Sequence, residues 1–84
     1  MSGEIARLQM EIASRKHRLR ELGEKIDVKI RDLKAALEGY PFVKVDALRA
    51  SHIAETAKEI EKMQAEWLAI KHEIEAGEKE LNGE

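Results

Sequence analysis

Apolar side chains recur at alternating intervals of three and four residues over two long stretches of the chain. In the first stretch the repeat runs through Ile5, Leu8, Ile12, Arg15, Leu19, Leu22, Ile26, Ile30, Leu33 and Leu37, with one stutter of two four-residue steps between Leu22 and Ile30. In the second stretch it runs through Ile60, Met63, Trp67, Ile70, Ile74, Gly77 and Leu81. This spacing aligns apolar side chains in one stripe of an α-helix, as in a coiled coil. The sequence therefore predicts an all-α protein with two long helices, each carrying one apolar seam.

The residues between the two stretches predict a turn. Gly39 can close a helix in the left-handed conformation, Pro41 cannot continue one, and Asp46 is a good N-cap. We expect a single helical-hairpin domain over residues 1–84, with helix 1 at about 3–38, a loop at about 39–46 and helix 2 at about 47–81. Because so short a loop returns the chain onto itself, the two helices should pack antiparallel.

The two seams define a register for the antiparallel pair. The expected facing pairs are Leu8 with Leu81, Leu19 with Ile70, Leu22 with Trp67, Ile26 with Met63, Ile30 with Ile60, and Leu37 with Ile53. In this register Gly77 falls opposite Ile12, and Gly23 leaves room for the indole of Trp67. The charges beside the seam give mixed support for this register. It places Arg18 near Glu73 and Lys25 near Glu66, which is favourable. It also places Glu11 near Glu80 and Lys16 near Lys71, which is unfavourable.

Composition limits the classes of function that the chain can have. The 84 residues include no Cys, and the charge balance is +2 over residues 1–39 but −5 over residues 46–84. Opposite charge on the two halves favours their packing together. We expect no enzyme activity and no metal or cofactor, because the three histidines each have too few neighbouring ligands and no nucleophile or phosphate-loop pattern occurs. No apolar run is long enough for a membrane span, and we expect a cytoplasmic protein.

A second, weaker stripe lies on the back of each predicted helix. It comprises Ala6, Met10, Ala13 and His17 on helix 1, and Ala65, Leu68, His72 and Ala76 on helix 2. A chain this small buries little apolar area with one seam alone. We therefore predict a homodimer or higher oligomer, with the four-helix bundle of a dimer as the leading arrangement and contacts at Met10, His17, Leu68 and His72.

The predicted loop is unusually apolar, since it holds Tyr40, Phe42, Val43 and Val45. These side chains either cap the open end of the coiled coil or form a protein-binding tip, because exposed aromatic side chains are common interface anchors. The leading hypothesis is a self-associating, non-enzymatic adaptor, chaperone-like or scaffold protein with a protein partner.

A cluster of basic residues supports an alternative function. Arg15, Lys16, Arg18 and Arg20 form the densest basic patch, and such residues can neutralise phosphates. The alternative is a nucleic-acid-associated regulatory protein, although no aromatic side chains lie beside the patch for base stacking. Arg15 also occupies a seam position, where its stem can lie along apolar neighbours with the charge at the edge.

Overall fold

The structure, a computed structural model, describes residues 2–38 and 45–83. It contains helix α1 (Ser2–Leu37), a short 3₁₀ turn (Val45–Ala47) and helix α2 (Ala50–Leu81). The two helices pack against each other as an extended antiparallel hairpin of 65 × 16 × 15 Å. The all-α hairpin fold is thus confirmed, whereas its assembly into a four-helix bundle stays a prediction. Neither α1 nor α2 contains a stretch that is apolar and long enough to cross a membrane.

Helix α2 begins later than the sequence indicated. Asp46 lies within the 3₁₀ turn, in which the backbone N–H of Leu48 donates to the carbonyl of Val45 at 3.1 Å. Arg49 takes the N-cap position, and no side chain caps the helix there. The prediction of Asp46 as N-cap was therefore wrong, because the chain completes a tighter turn before the first α-helical residue, Ala50.

The buried core lies in the half of the hairpin farther from the loop. Its centre is formed by Ile12, Leu22, Ile70 and Ile74, with Ile12 and Ile74 only 5% exposed. Partly buried side chains pack around this centre: Leu8, Leu19, Ile26, Met63, Trp67 and Leu81. All of these residues belong to the predicted seam.

Two glycines confirm the predicted register. A Cβ built on Gly77 would lie 3.0 Å from Cγ1 of Ile12, so the helices approach closely where these residues face each other. A Cβ on Gly23 would lie 3.6 Å from Nε1 of Trp67, which places the indole over this glycine. The apolar layers alone were sufficient to set the alignment of the helices.

The seam is more open towards the loop. Ile30 and Leu37 are about half exposed there, although both occupy seam positions. The buried residue at this end is polar: Thr56 donates a hydrogen bond from Oγ1 to the carbonyl oxygen of His52 at 2.9 Å. A local bond of this kind satisfies the hydroxyl without contributing to packing between the helices.

Candidate interaction surfaces

Arg15 lies in the apolar seam but keeps its charge at the edge. Its Nε is 3.2 Å from Oε2 of Glu73 on the other helix, and its Nη1 is 3.9 Å from Oε2 of Glu11 on its own helix. The side chain is 37% exposed, so the guanidinium reaches water. This is the ordinary way in which a long basic side chain is accommodated beside a core.

One side of the hairpin is crossed by three ion pairs between the helices. Arg15 pairs with Glu73, Arg18 pairs with Glu66, and Nζ of Lys29 lies 2.7 Å from Oε2 of Glu59. The three glutamates are seven residues apart and so form one row along α2. We call this side the charged face; it comprises the three ion pairs.

The predicted charge partners were partly wrong. Arg18 contacts Glu66 and not Glu73, because Arg15 already occupies Glu73. Lys16 lies 3.8 Å from Oε2 of Glu78, on the opposite side of the seam from the charged face. The level of a residue along the hairpin axis was therefore not sufficient to predict these ion pairs. Two charged residues must also lie on the same side of the seam.

The pair of Lys29 and Glu59 holds both groups in their charged forms. The hydrogen bond from Lys29, together with its positive charge, lowers the pKa of Glu59, and the same bond raises the pKa of Lys29. The ion pair stabilises the fold at pH values between the ordinary pKa of a glutamate and the ordinary pKa of a lysine. It is lost as the pH falls through the lowered pKa of Glu59 or rises through the raised pKa of Lys29.

The basic patch is largely engaged with acidic residues. Arg15, Lys16 and Arg18 each lie within ion-pair distance of a glutamate of α2, while Arg20 is exposed. The neighbouring glutamates would repel a phosphate backbone. The patch is therefore not a free cationic surface.

The residues of the predicted oligomer contact are all exposed on the hairpin. Met10 is 73% exposed, and Leu68 and His72 also face solvent. Nε2 of His17 lies 2.9 Å from Oε1 of Glu21, one turn further along the same helix. No group of three or more His, Asp or Glu side chains suited to a metal ion occurs within the described ranges.

The side of the seam opposite the charged face carries fewer charged residues towards the loop, although Lys16, Lys71 and Glu78 lie on it nearer the chain ends. We call it the open face. On α1 it is bordered by Gly23, Ile30 and Leu37. On α2 its row begins with Ala50, Ala57 and Gln64, which share heptad spacing and are all exposed. Sequence reasoning missed this difference between the two sides. The difference is nevertheless present in the sequence of α2, where one heptad row has glutamate at 59, 66, 73 and 80 and the other row begins with two alanines.

The open face contains a surface groove and an accessible aromatic ring. The groove has a volume of about 520 Å³ and is lined by Ile30, Leu33, Lys34, Leu37 and Glu38. Further from the loop, Nζ of Lys71 lies 5.5 Å from the centre of the Trp67 ring, and Gly23 leaves space beside the indole. Apolar surface that is flanked by charges of both signs is suited to contact with another protein.

The predicted protein-binding tip is described only in part. Tyr40, Phe42 and Val43 lie outside the described residues. Val45 is 81% exposed, so its side chain does not cap the coiled coil.

Comparison of the chain with protein-family models, with curated proteins and with solved structures finds no match.

Proposed function

We propose that this chain is a small, non-enzymatic coiled-coil protein that self-associates and binds a protein partner, as an adaptor, chaperone-like or scaffold module. One observation supports this proposal above all. The described part of the hairpin buries four apolar side chains but leaves seven large ones exposed: Ile5, Met10, Val28, Ile30, Leu37, Val45 and Leu68. Two of them, Ile30 and Leu37, line one surface groove, and exposed apolar side chains that lie together are typical of an interaction surface.

The surface area of the isolated hairpin also supports self-association. The chain exposes 6970 Å². A compact monomer of this mass is expected to expose about 5,100 Å². A standard protein interface buries about 800 Å² on each partner. The hairpin can therefore bury a full interface and still expose as much surface as a compact protein of its size.

The non-enzymatic part of the proposal rests on the environment of the titratable groups. The two described groups with a shifted pKa, Lys29 and Glu59, form an exposed ion pair across the helices. An ion pair of this kind is structural, whereas a catalytic acid or base needs a cleft that excludes water. A cytoplasmic location is part of the same proposal, because the chain has no Cys.

Self-association is tested by the mass of the protein in solution. In light scattering over a dilution series, we expect a mass of at least twice the 9.6 kDa of the chain, falling towards the monomer on dilution. Leu68→Glu, which places a charge on the predicted contact at the back of α2, should shift this transition to higher protein concentration only if the backs of the helices form the interface. A wild-type mass that stays at the monomer value at every concentration would rule out self-association.

The tip is tested with Val45→Ser. Because Val45 is almost fully exposed, this variant should keep the melting temperature of the wild type. If the tip binds the partner, capture of that partner from a lysate should be strongly reduced, whereas Ala54→Ser at an exposed position of α2 should leave capture unchanged. Equal capture by wild type and Val45→Ser would remove Val45 from the binding site.

A further inference from the structure

We infer that a second copy of the chain docks on the open face and not on the backs of the helices. This inference rests on the proposed self-association and specifies its surface. The open face is defined by the seam-edge residues Gly23, Ile30 and Leu37 of α1 and by the row of Ala50, Ala57 and Gln64 on α2. Both helices contribute to it, so one docking event can cover apolar atoms of both.

The two sides of the hairpin differ in charge. The charged face carries cross-helix pairs at Glu59, Glu66 and Glu73, so covering it would desolvate six charged groups. Desolvation of this kind is costly and is often not repaid by the ion pairs themselves. The loop half of the open face has alanines at the equivalent positions of α2, so covering it desolvates none of these cross-helix ion pairs.

Exposed seam residues lie on the open face. Ile30 and Leu37 are seam residues that the partner helix leaves about half exposed, and they line the groove on the open face. Apolar atoms at a seam edge lie beside the core, so a second hairpin that covers them extends the same core. The result is a four-helix arrangement with the two charged faces outermost.

The apolar stripes on the backs of the two helices point away from each other. Met10 on α1 and Ala65 on α2 lie on the sides of their helices that face away from the shared seam. They therefore point in opposite directions across the hairpin, and one second copy cannot cover both. The open face, by contrast, lies on one side of the hairpin, so a single second copy can cover the atoms that both helices contribute to it.

Charges at the border of the open face are compatible with symmetric pairing. Lys34 and Glu38 border the groove, and Lys16 and Glu78 pair across the seam nearer the chain ends. In an interface with two-fold symmetry, the same surface of each copy faces that of the other copy. Positive border residues of one copy can therefore face negative border residues of the other. The apolar centre with a charged border matches the usual composition of protein interfaces.

The inference is tested with two variants that make the same chemical change on one helix. Ala57→Glu places a charge on the open face, and Ala65→Glu places it on the back of α2; both alanines are exposed, and neither occupies the buried core. Sedimentation equilibrium on the full chain should show at least a tenfold weaker association for Ala57→Glu and an unchanged association for Ala65→Glu. Far-ultraviolet circular dichroism at a concentration where the wild type is monomeric should give the same helicity for all three proteins.

The other outcomes separate this inference from the proposed self-association. Weakening by Ala65→Glu alone, or by both variants equally, would overturn the open face as the docking surface while self-association stands. Unchanged association of both variants would also overturn it. A wild type that is monomeric at every concentration would contradict self-association itself, and the docking surface with it.

Discussion

Replacing Trp67 with alanine is expected to lower the free energy of unfolding by about 3 kcal/mol, the lower end of the range for large-to-small changes at aromatic core residues. Trp67 packs against the buried cluster around Leu22 and Ile70, and its indole covers Gly23. The lower end of the range applies because the side chain is only partly buried. The ring also lies 5.5 Å from Nζ of Lys71, a contact that the alanine variant loses.

Chemical denaturation followed by circular dichroism measures this loss, and all variants must be compared at one protein concentration because self-association adds to the apparent stability. Trp67→Phe serves as the matched control, since it keeps an aromatic ring in the same space and should lose only about 1 kcal/mol. Wild-type fluorescence should report an indole that is partly shielded from water. A fully water-exposed emission spectrum, or a loss below 1 kcal/mol in Trp67→Ala, would contradict this packing.

The fold could be predicted because a single physical requirement determined it. Two helices with one apolar stripe each, joined by a loop containing Gly39 and Pro41, bury those stripes best by packing on each other. The register followed from the same requirement, since it brings Ile12 opposite Gly77 and Trp67 beside Gly23, and the structure places these residues together. Large packing energies therefore decided the features that sequence reasoning predicted correctly.

Features that depend on small differences in free energy between alternative arrangements could not be predicted in the same way. The start of α2 depends on a local choice between a 3₁₀ turn and an immediate α-helix after Asp46, and propensities do not separate these alternatives. The partner of Arg18 depends on competition with Arg15 for Glu73, and exposed ion pairs differ in energy by less than about 1 kcal/mol. Such small differences become visible only when the side chains are placed in three dimensions.

The presence of exposed apolar side chains was predictable, but not all of their positions. Sequence periodicity shows that apolar residues remain after one seam is formed, and it indicated the backs of the helices, at Met10 and Leu68. It did not show that Ile30 and Leu37 stay about half exposed, because their exposure depends on how closely α2 approaches them. The identity of a partner cannot be predicted from the heptad pattern, because this pattern reflects helix packing alone and specifies no ligand.

Gly77→Val is expected to lower the free energy of unfolding by about 2 kcal/mol, as overpacking of a close helix contact does. Glycine inside a helix is otherwise unfavourable by about 1 kcal/mol relative to alanine, so most replacements should stabilise the helix. At Gly77 the new Cβ would lie 3.0 Å from Cγ1 and 3.1 Å from Cδ1 of Ile12. Ile12 is buried, so its side chain has little room to move away from the branched valine.

Gly23→Ala provides the matched control, because its Cβ would lie 3.6 Å from Nε1 of Trp67, an ordinary contact distance. This variant should therefore raise the free energy of unfolding by about 0.5–1 kcal/mol, in line with helix propensity. In the double variant Ile12→Ala with Gly77→Val, the space released by one change should accommodate the other, and the combined loss should be smaller than the sum of the two single losses. Stabilisation by Gly77→Val, of the size seen for Gly23→Ala, would show that Gly77 has no steric role and that the helices do not meet at Ile12. Opposite signs at the two glycines would instead identify the close approach at Ile12 and Gly77 as the contact that fixes the register of the hairpin.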